Sequence, residues 1–138
     1  MTERTLAILK PDAVKAGKEG AILELLAKEG FRTVSAKKLH LSPAQARRFY
    51  EVHRERPFYE GLVAFMTEGP VWVLALERAE AVTHLRRVMG ATDSKKAASG
   101  TIRNLFGTDV ERNAVHGSDS PENAEREIRF FFSESELL

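Results

Sequence analysis

The chain has 138 residues, 43% hydrophobic and 30% charged, with 21 Lys plus Arg against 20 Asp plus Glu for a net charge of +1. That length suits one domain, residues 1–138, able to bury about two-thirds of its unfolded surface, and the composition excludes disorder and fibrous repeats. The lack of cysteine excludes disulfides, thiolate nucleophiles and iron–sulfur or zinc-finger sites, and the balanced charge gives no global reason to hold nucleic acid or an anionic membrane.

The opening Met1-Thr2-Glu3-Arg4 runs straight into strand-like sequence with no cleavable leader, so the cytoplasm is the expected compartment. Thr5–Leu9 is an apolar run closed by Lys10-Pro11-Asp12, which predicts a buried strand opening into a turn. From Glu19 to Glu29, Ile22, Leu25 and Leu26 recur at helical spacing, Glu24 and Lys28 form an i,i+4 pair, and Gly30 stands where a helix-ending glycine belongs. Phe31–Leu41 reads as a long strand, and Ser42-Pro43, a capping residue followed by proline, opens another helix. Pro57 interrupts that region, and Phe58–Met66 predicts a further short helix.

Gly69-Pro70 turns into Val71–Leu76, apolar on both faces and so a central strand, far short of the roughly 20 residues of a membrane span. The next helix carries Arg78, Ala81, Val82, Leu85, Val88 and Met89 on one stripe and ends at Gly90. Residues 91–114 are polar with weak periodicity, and a loop of that length is expected to be functional. A short strand follows, and Ser120-Pro121 opens the last helix. The order predicts an α/β sandwich with helices against one mainly antiparallel sheet.

The last helix holds the sharpest anomaly. Ala124, Ile128 and Phe131 mark its buried stripe, and Glu127 falls on that stripe, where a carboxylate is costly unless something pairs with it. Just upstream, His116 is expected at a turn near the helix start, within reach of Glu127. A carboxylate on one ring nitrogen fixes the tautomer and leaves the other nitrogen's lone pair free to attack. The plainer alternatives are a structural histidine and a helix tilted to keep Glu127 wet. Ala46, Phe49, Tyr50 and His53 share a helix face that turns Tyr50 and His53 inward. His53 reads as core packing, while a buried Tyr50 requires a hydrogen-bond partner that His116 could supply. Lys10, Arg86 and Arg103 are scattered, and only if the fold gathers them do they cradle an anion. No glycine-rich phosphate loop, dinucleotide fingerprint or zinc-ligand spacing occurs, so a metal is expected to arrive with the substrate.

The segment Asn113-Ala114-Val115-His116-Gly117-Ser118-Asp119-Ser120 resembles the active-site motif of nucleoside diphosphate kinases. The likeness runs nearly end to end, through Lys10-Pro11-Asp12-Ala13-Val14, His53 to Gly61-Leu62-Val63, Gly69-Pro70-Val71, Met89-Gly90-Ala91-Thr92 and Gly100-Thr101-Ile102-Arg103. The resemblance implies a ferredoxin-like α/β sandwich, a mainly antiparallel four-stranded sheet covered by helices. It implies transfer of the γ-phosphate of a nucleoside triphosphate to a nucleoside diphosphate, ping-pong through a phosphohistidine at His116, with broad base and sugar tolerance. Lys10 and Asn113 are then expected at the sugar, Arg86, Thr92 and Arg103 at the phosphates, and Phe58 and Val110 on either side of the base. Tyr50, Ser118 and Glu127 are expected to support the histidine. Mg2+ is expected through the nucleotide phosphates rather than protein side chains, in a homo-oligomer, tetramer or hexamer, with no membrane or specific nucleic-acid partner. The chain departs from the family pattern with Asn104-Leu105 in place of a common Gly-Asp, and with Ser94 and Ser99 where proline is frequent. A ferredoxin-like binding module and a histidine-dependent phosphatase are the other classes considered; ATP mixed with a second diphosphate separates them by transfer, no reaction or free phosphate.

Overall fold

The computed structural model describes residues 2–138; Met1, the first residue of the opening segment read above as leaderless, lies outside the described residues. Strand β1 (Thr2–Leu9) leads through helices α1 (Pro11–Lys15) and α2 (Glu19–Lys28) into β2 (Arg32–Leu39). Helices α3 (Pro43–Phe49) and α4 (Tyr59–Met66) precede β3 (Val71–Ala79), and α5 (Ala81–Met89), α6 (Ile102–Phe106), β4 (Val115–Gly117) and α7 (Pro121–Phe131) follow. The four strands lie in the order β2-β3-β1-β4, every neighbouring pair antiparallel. This is the ferredoxin-like α/β sandwich.

The two central strands pair along their whole length, from Thr2 opposite Ala79 to Leu9 opposite Trp72. Helices cover both faces of the sheet, so Thr5–Leu9 and Val73–Leu76 are buried on both sides and read as unbroken apolar runs. The two-residue period of the strands divides them between two cores. Leu6, Ile8, Val73 and Ala75 meet Phe49, Val63 and Ile128 of α3, α4 and α7 on one face. Ala7, Leu9, Leu74 and Leu76 meet Ile22, Leu26, Leu85 and Ile102 of α2, α5 and α6 on the other. Each fully buried aliphatic side chain contributes about 1.5–3 kcal/mol.

The helix starts follow their caps. The Ser42 hydroxyl accepts from the Gln45 amide N–H at 3.1 Å while the Gln45 side chain accepts from the Ser42 N–H at 2.8 Å. Ser120 accepts from the Asn123 N–H at 3.1 Å, with Pro121 in the first turn.

Four local expectations are corrected. Pro11–Lys15 is a short helix rather than a bare turn; proline supplies the φ of a first helical residue, and Ala13 is pinned in the core. The strand after α2 is shorter than Phe31–Leu41, because Phe31 and Leu41 leave the ladder and pack into opposite cores. Arg78 belongs to β3, not to the stripe of α5; its guanidinium donates to the Glu29 carbonyl and lies 5.6 Å over the Phe31 ring. The segment 91–114 is not structureless, since it contains α6 and a 3-10 turn at Ser94–Lys96.

Candidate active site

Strand parity sets the site. In β4, His116 pairs with Ile8 of β1, so its side chain turns to the face covered by α3 and α7, while Val115 and Gly117 turn to the other. His116 therefore sits on a strand, not at the expected turn. A Cβ at Gly117 would stand 2.5 Å from Met89 Sδ, so a larger residue there would force the Met89 and Leu85 side chains of α5 to shift. The chain enters β4 through a tight turn in which the Val115 N–H donates to the Asn113 carbonyl at 2.8 Å. Ala114 at its centre has φ 72°, a conformation unfavourable for an L-residue, and its N–H is held by Asp12 Oδ2 at 3.1 Å.

On α7, Ala124, Glu127 and Ile128 form the buried i, i+3, i+4 face, which settles the question of Glu127: it is buried, not wet. His116 Nε2–H donates to Glu127 Oε1 at 2.7 Å, the carboxylate being able only to accept. The Ser118 hydroxyl donates to the same oxygen at 2.8 Å and accepts from the Leu6 N–H at 3.2 Å, so His116 reaches the carboxylate directly and Ser118 is a second donor to it rather than a relay. Arg126 Nη2 stands 3.7 Å from the other oxygen, Oε2. The His116 ring is held edge-on by Phe49 and Tyr50, with centroids at 5.4 and 6.1 Å. Nδ1 carries no protein hydrogen bond among the described residues, and His116 lines a cavity of about 580 Å³.

That cavity gathers the scattered positive groups. Lys10, Arg86, Thr92, Arg103 and Asn113 line it, together with the apolar Phe58, Leu62 and Val110. Lys10 Nζ donates to Asn113 Oδ1 at 2.8 Å, and Asn113 Nδ2 donates to the carbonyls of Thr92 and Val110 at 3.0 and 3.1 Å. Burial, and then the Arg103 charge, lower the Lys10 amine to about 8. Arg103 is buried as well, and desolvation followed by the Arg86 charge lowers it to about 10. Its guanidinium donates to the Gly90 and Val115 carbonyls at 3.1 and 2.9 Å, tying the long loop to the ends of α5 and β4. Phe58 and Val110 are 49% and 60% exposed, two apolar surfaces facing an open cavity.

The structure also separates some expectations. The Tyr50 hydroxyl does not bond to His116; it is buried with no partner among the described residues, and burial followed by the Glu127 charge pushes it far above the ordinary tyrosine range. His53 is half-buried at the cavity wall, stacked on Tyr50 at 6.4 Å, rather than within the core. Sequence reasoning missed Glu111, Arg126 and Asn123, which also line the cavity. Their position one or three residues from Val110, Glu127 and Ser120 was the available signal. A neighbouring open groove of about 510 Å³ along Arg48, Arg54 and Arg56 contains no histidine. Among the described residues no helix is long and apolar enough to cross a membrane, and no three His, Asp or Glu side chains are grouped to hold a metal ion.

Comparison with known proteins bears on the family and the fold. The family model "Nucleoside diphosphate kinase" matches residues 3–137. The chain is 51% identical over 136 residues to the nucleoside diphosphate kinase of Desulfosudis oleivorans, covering 99% of this chain and 98% of the relative. It is 55% identical over 135 residues to that of Campylobacter fetus, covering 98% of each. A crystal structure of the Aquifex aeolicus nucleoside diphosphate kinase superposes with a TM-score of 0.98 at 47% identity, covering all of both chains. A halophilic nucleoside diphosphate kinase from Halobacterium salinarum, in complex with CDP, gives 0.95 at 41% identity, covering 100% of this chain and 92% of that one. On family match, identity and fold together, the chain belongs to the nucleoside diphosphate kinase family.

Proposed function

We propose that residues 1–138 act as a single catalytic domain that transfers the γ-phosphate of a nucleoside triphosphate to a nucleoside diphosphate through His116. Family members move phosphate between nucleoside triphosphates and diphosphates. The observation that carries the assignment to His116 is the Nε2–Glu127 hydrogen bond of 2.7 Å, which leaves Nδ1 as the nitrogen with a free lone pair. Nδ1 attacks the γ-phosphorus as the bond to the β–γ bridging oxygen breaks, and its electrons leave with the diphosphate product. The ring becomes cationic, and the Glu127 carboxylate, already aligned on Nε2–H, stabilises that charge. A β-phosphate oxygen of the second diphosphate then attacks the phosphorus, and the N–P electrons return to Nδ1. Tyr50 carries a buried hydroxyl beside the ring with no other partner, available to the phosphorylated state.

Arg86, Arg103 and Thr92 hold the phosphates, Lys10 and Asn113 the sugar, and Phe58 with Val110 clasps the base. This division is supported by the cavity's lining, which includes both cationic and apolar side chains. In-line phosphoryl transfer needs mainly placement and charge compensation, which two arginines supply. The donor set fits an Mg2+ carried by the nucleotide: Asp119 lines the cavity, no three carboxylate or histidine side chains among the described residues are grouped as a metal cage, and Mg2+ accepts few protein ligands beside waters and phosphates. When bound, the ion neutralises phosphate charge. The protein is read as cytoplasmic, and the homo-oligomeric assembly, tetramer or hexamer, belongs to the same reading. Incubation with γ-labelled ATP should leave a label stable in alkali and lost in acid, absent from His116→Ala; an acid-stable label, or one surviving that substitution, sinks the assignment.

A further inference from the structure

Lys10, Arg86 and Arg103 line one cavity, and none of the three forms an ion pair among the described residues. Lys10 is only 7% exposed, and its neighbours fix how the amine is presented. The Asn113 amide is oriented by its Nδ2 bonds to the Thr92 and Val110 carbonyls, so Oδ1 is the atom that accepts from Nζ, at 2.8 Å. One N–H is held there, and once a proton is lost the lone pair of the amine has no protein partner. Burial and the Arg103 charge bring that loss within reach by lowering the amine to about 8. About a quarter of it is then uncharged at pH 7.5, against about a thousandth of an ordinary lysine. In phosphate transfer Lys10 serves only as a donor, yet an amine desolvated beside a fixed cation is also an activated nucleophile. Arg103 adds a second unused group, because its Nε–H is buried with no partner among the described residues.

We propose that Lys10 is a modification site, acylated by small acyl phosphates that the cavity takes up by their phosphate. This rests on the reading of Arg86 and Arg103 as phosphate holders. An acyl phosphate presents a terminal phosphate dianion, as a nucleotide does, with a carbonyl carbon where the rest of the nucleotide would follow. Phosphate held by the two guanidinium groups confines that carbon to the cavity that Nζ lines. The uncharged Nζ attacks the acyl carbon, the C–O bond to the phosphate breaks with its electrons going to the phosphate, and one amine proton passes to that phosphate as it leaves. The products are an amide on Lys10 and inorganic phosphate. The arginines serve this step twice, binding the dianion and neutralising the charge on the departing phosphate. The amide carries no positive charge and its acyl group occupies the cavity, so transfer between nucleotides falls as Lys10 is acylated.

The test is incubation with acetyl phosphate at pH 7.5, with acetylation read lysine by lysine by mass spectrometry and the exposed Lys18 and Lys96 as internal comparators. Lys10 should acquire the acetyl group about tenfold faster than either. ADP should suppress labelling at Lys10 alone, and Arg86→Ala, a change at an exposed position, should remove most of the preference. The N-hydroxysuccinimide ester of acetic acid, an acyl donor without phosphate, should show a much smaller preference for Lys10. Labelling of Lys10 no faster than the comparators, labelling indifferent to ADP, or an equal preference with the phosphate-free ester overturns the proposal. A phosphoryl group on His116 with Lys10 unmodified overturns it too, placing the attack at phosphorus. Transfer from ATP to a second diphosphate is measured on the same preparation. Normal transfer without a preference for Lys10 overturns the acylation site alone, whereas absent transfer overturns the functional reading beneath it.

Discussion

Glu127 shows how one side chain can be costly to the fold and useful to the chemistry. A carboxylate 6% exposed is tolerated because Oε1 accepts from His116 and from Ser118, and Oε2 faces Arg126. This network sets the expected effect of Glu127→Gln. A glutamine can turn its carbonyl oxygen to the position of Oε1 and still accept from both donors, so the His116 tautomer survives and only the negative charge is lost. The rate of His116 phosphorylation by ATP should fall by about 10–10², well below the roughly 10⁴ seen when a triad carboxylate is replaced and the tautomer is lost with it. The ATP dissociation constant should hardly move. Stopped-flow phosphorylation beside equilibrium ATP binding decides it: a parental rate reduces Glu127 to a helix carboxylate, and a large loss of affinity makes it a wall of the pocket. The inward position of Glu127 was legible from the helical stripe; the pairing with Ser118 was not, because it depends on His116 and Ser118 turning to the same face of an extended segment.

At the level of elements, the long loop before β4 is where local sequence signals fail and tertiary contacts decide. Helices α2, α3, α5 and α7 were readable because caps, stripes and terminal glycines agree with one another. Helices α1 and α6 span a single turn or little more, too short for a period to show, and each is fixed by a pair of buried residues, Pro11 and Ala13 or Ile102 and Arg103. Of the family departures, Asn104 is absorbed locally, while the Ser94 hydroxyl is buried with no partner among the described residues. Asn104 accepts from the Gly100 N–H at 3.2 Å and donates to the Ala97 carbonyl at 3.4 Å, so the side chain itself braces the turn. Arg103, read from sequence as one of several scattered charges, is instead the buried tie between this loop, α5 and β4. Arg103→Ala should therefore have two effects. Transfer should slow by about 10²–10³ as a preorganised phosphate donor is lost. Stability should fall by about 1–3 kcal/mol as two buried carbonyls lose their donor. Thermal unfolding and single-turnover transfer measured on one preparation separate the effects; a rate within threefold of the parent would make Arg103 purely structural.

Across the whole molecule, the sandwich was legible because its central strands are apolar on both faces, but the site was only partly so. Lys10 and Asn113 touch although 103 residues separate them, and that contact exists only because β4 adds to the free edge of β1. The same long-range geometry organises the surface charges. Glu77 of β3 receives Arg4 and Arg32 from the strands on either side, at 3.1 and 2.8 Å, and Lys37 of β2 holds Glu136 at 2.8 Å while donating to the Phe131 carbonyl at 2.7 Å. Lys37 and the Ser133 N–H together lower the Glu136 carboxyl to about 2, and arginine partners hold Glu77 and Glu68 below the usual carboxylate range. Asp12 runs the other way, raised chiefly by burial. A carboxylate depressed in the folded state stabilises it at pH above the unfolded value, and that contribution is lost as pH falls toward the folded value. For Glu136 the window runs from 4.5 down to about 2. Asp12, being raised, opposes this trend but is one group against five, since Asp109 and Asp119 are lowered as well. The urea midpoint should therefore fall steadily from pH 5 to pH 2.5 in the parent, and less steeply in Glu136→Gln, which has no proton to take up there. The difference between the two slopes should shrink in about 1 M salt, where exposed pairs are screened. Parallel slopes at low salt would show that the Lys37–Glu136 clasp is not coupled to folding.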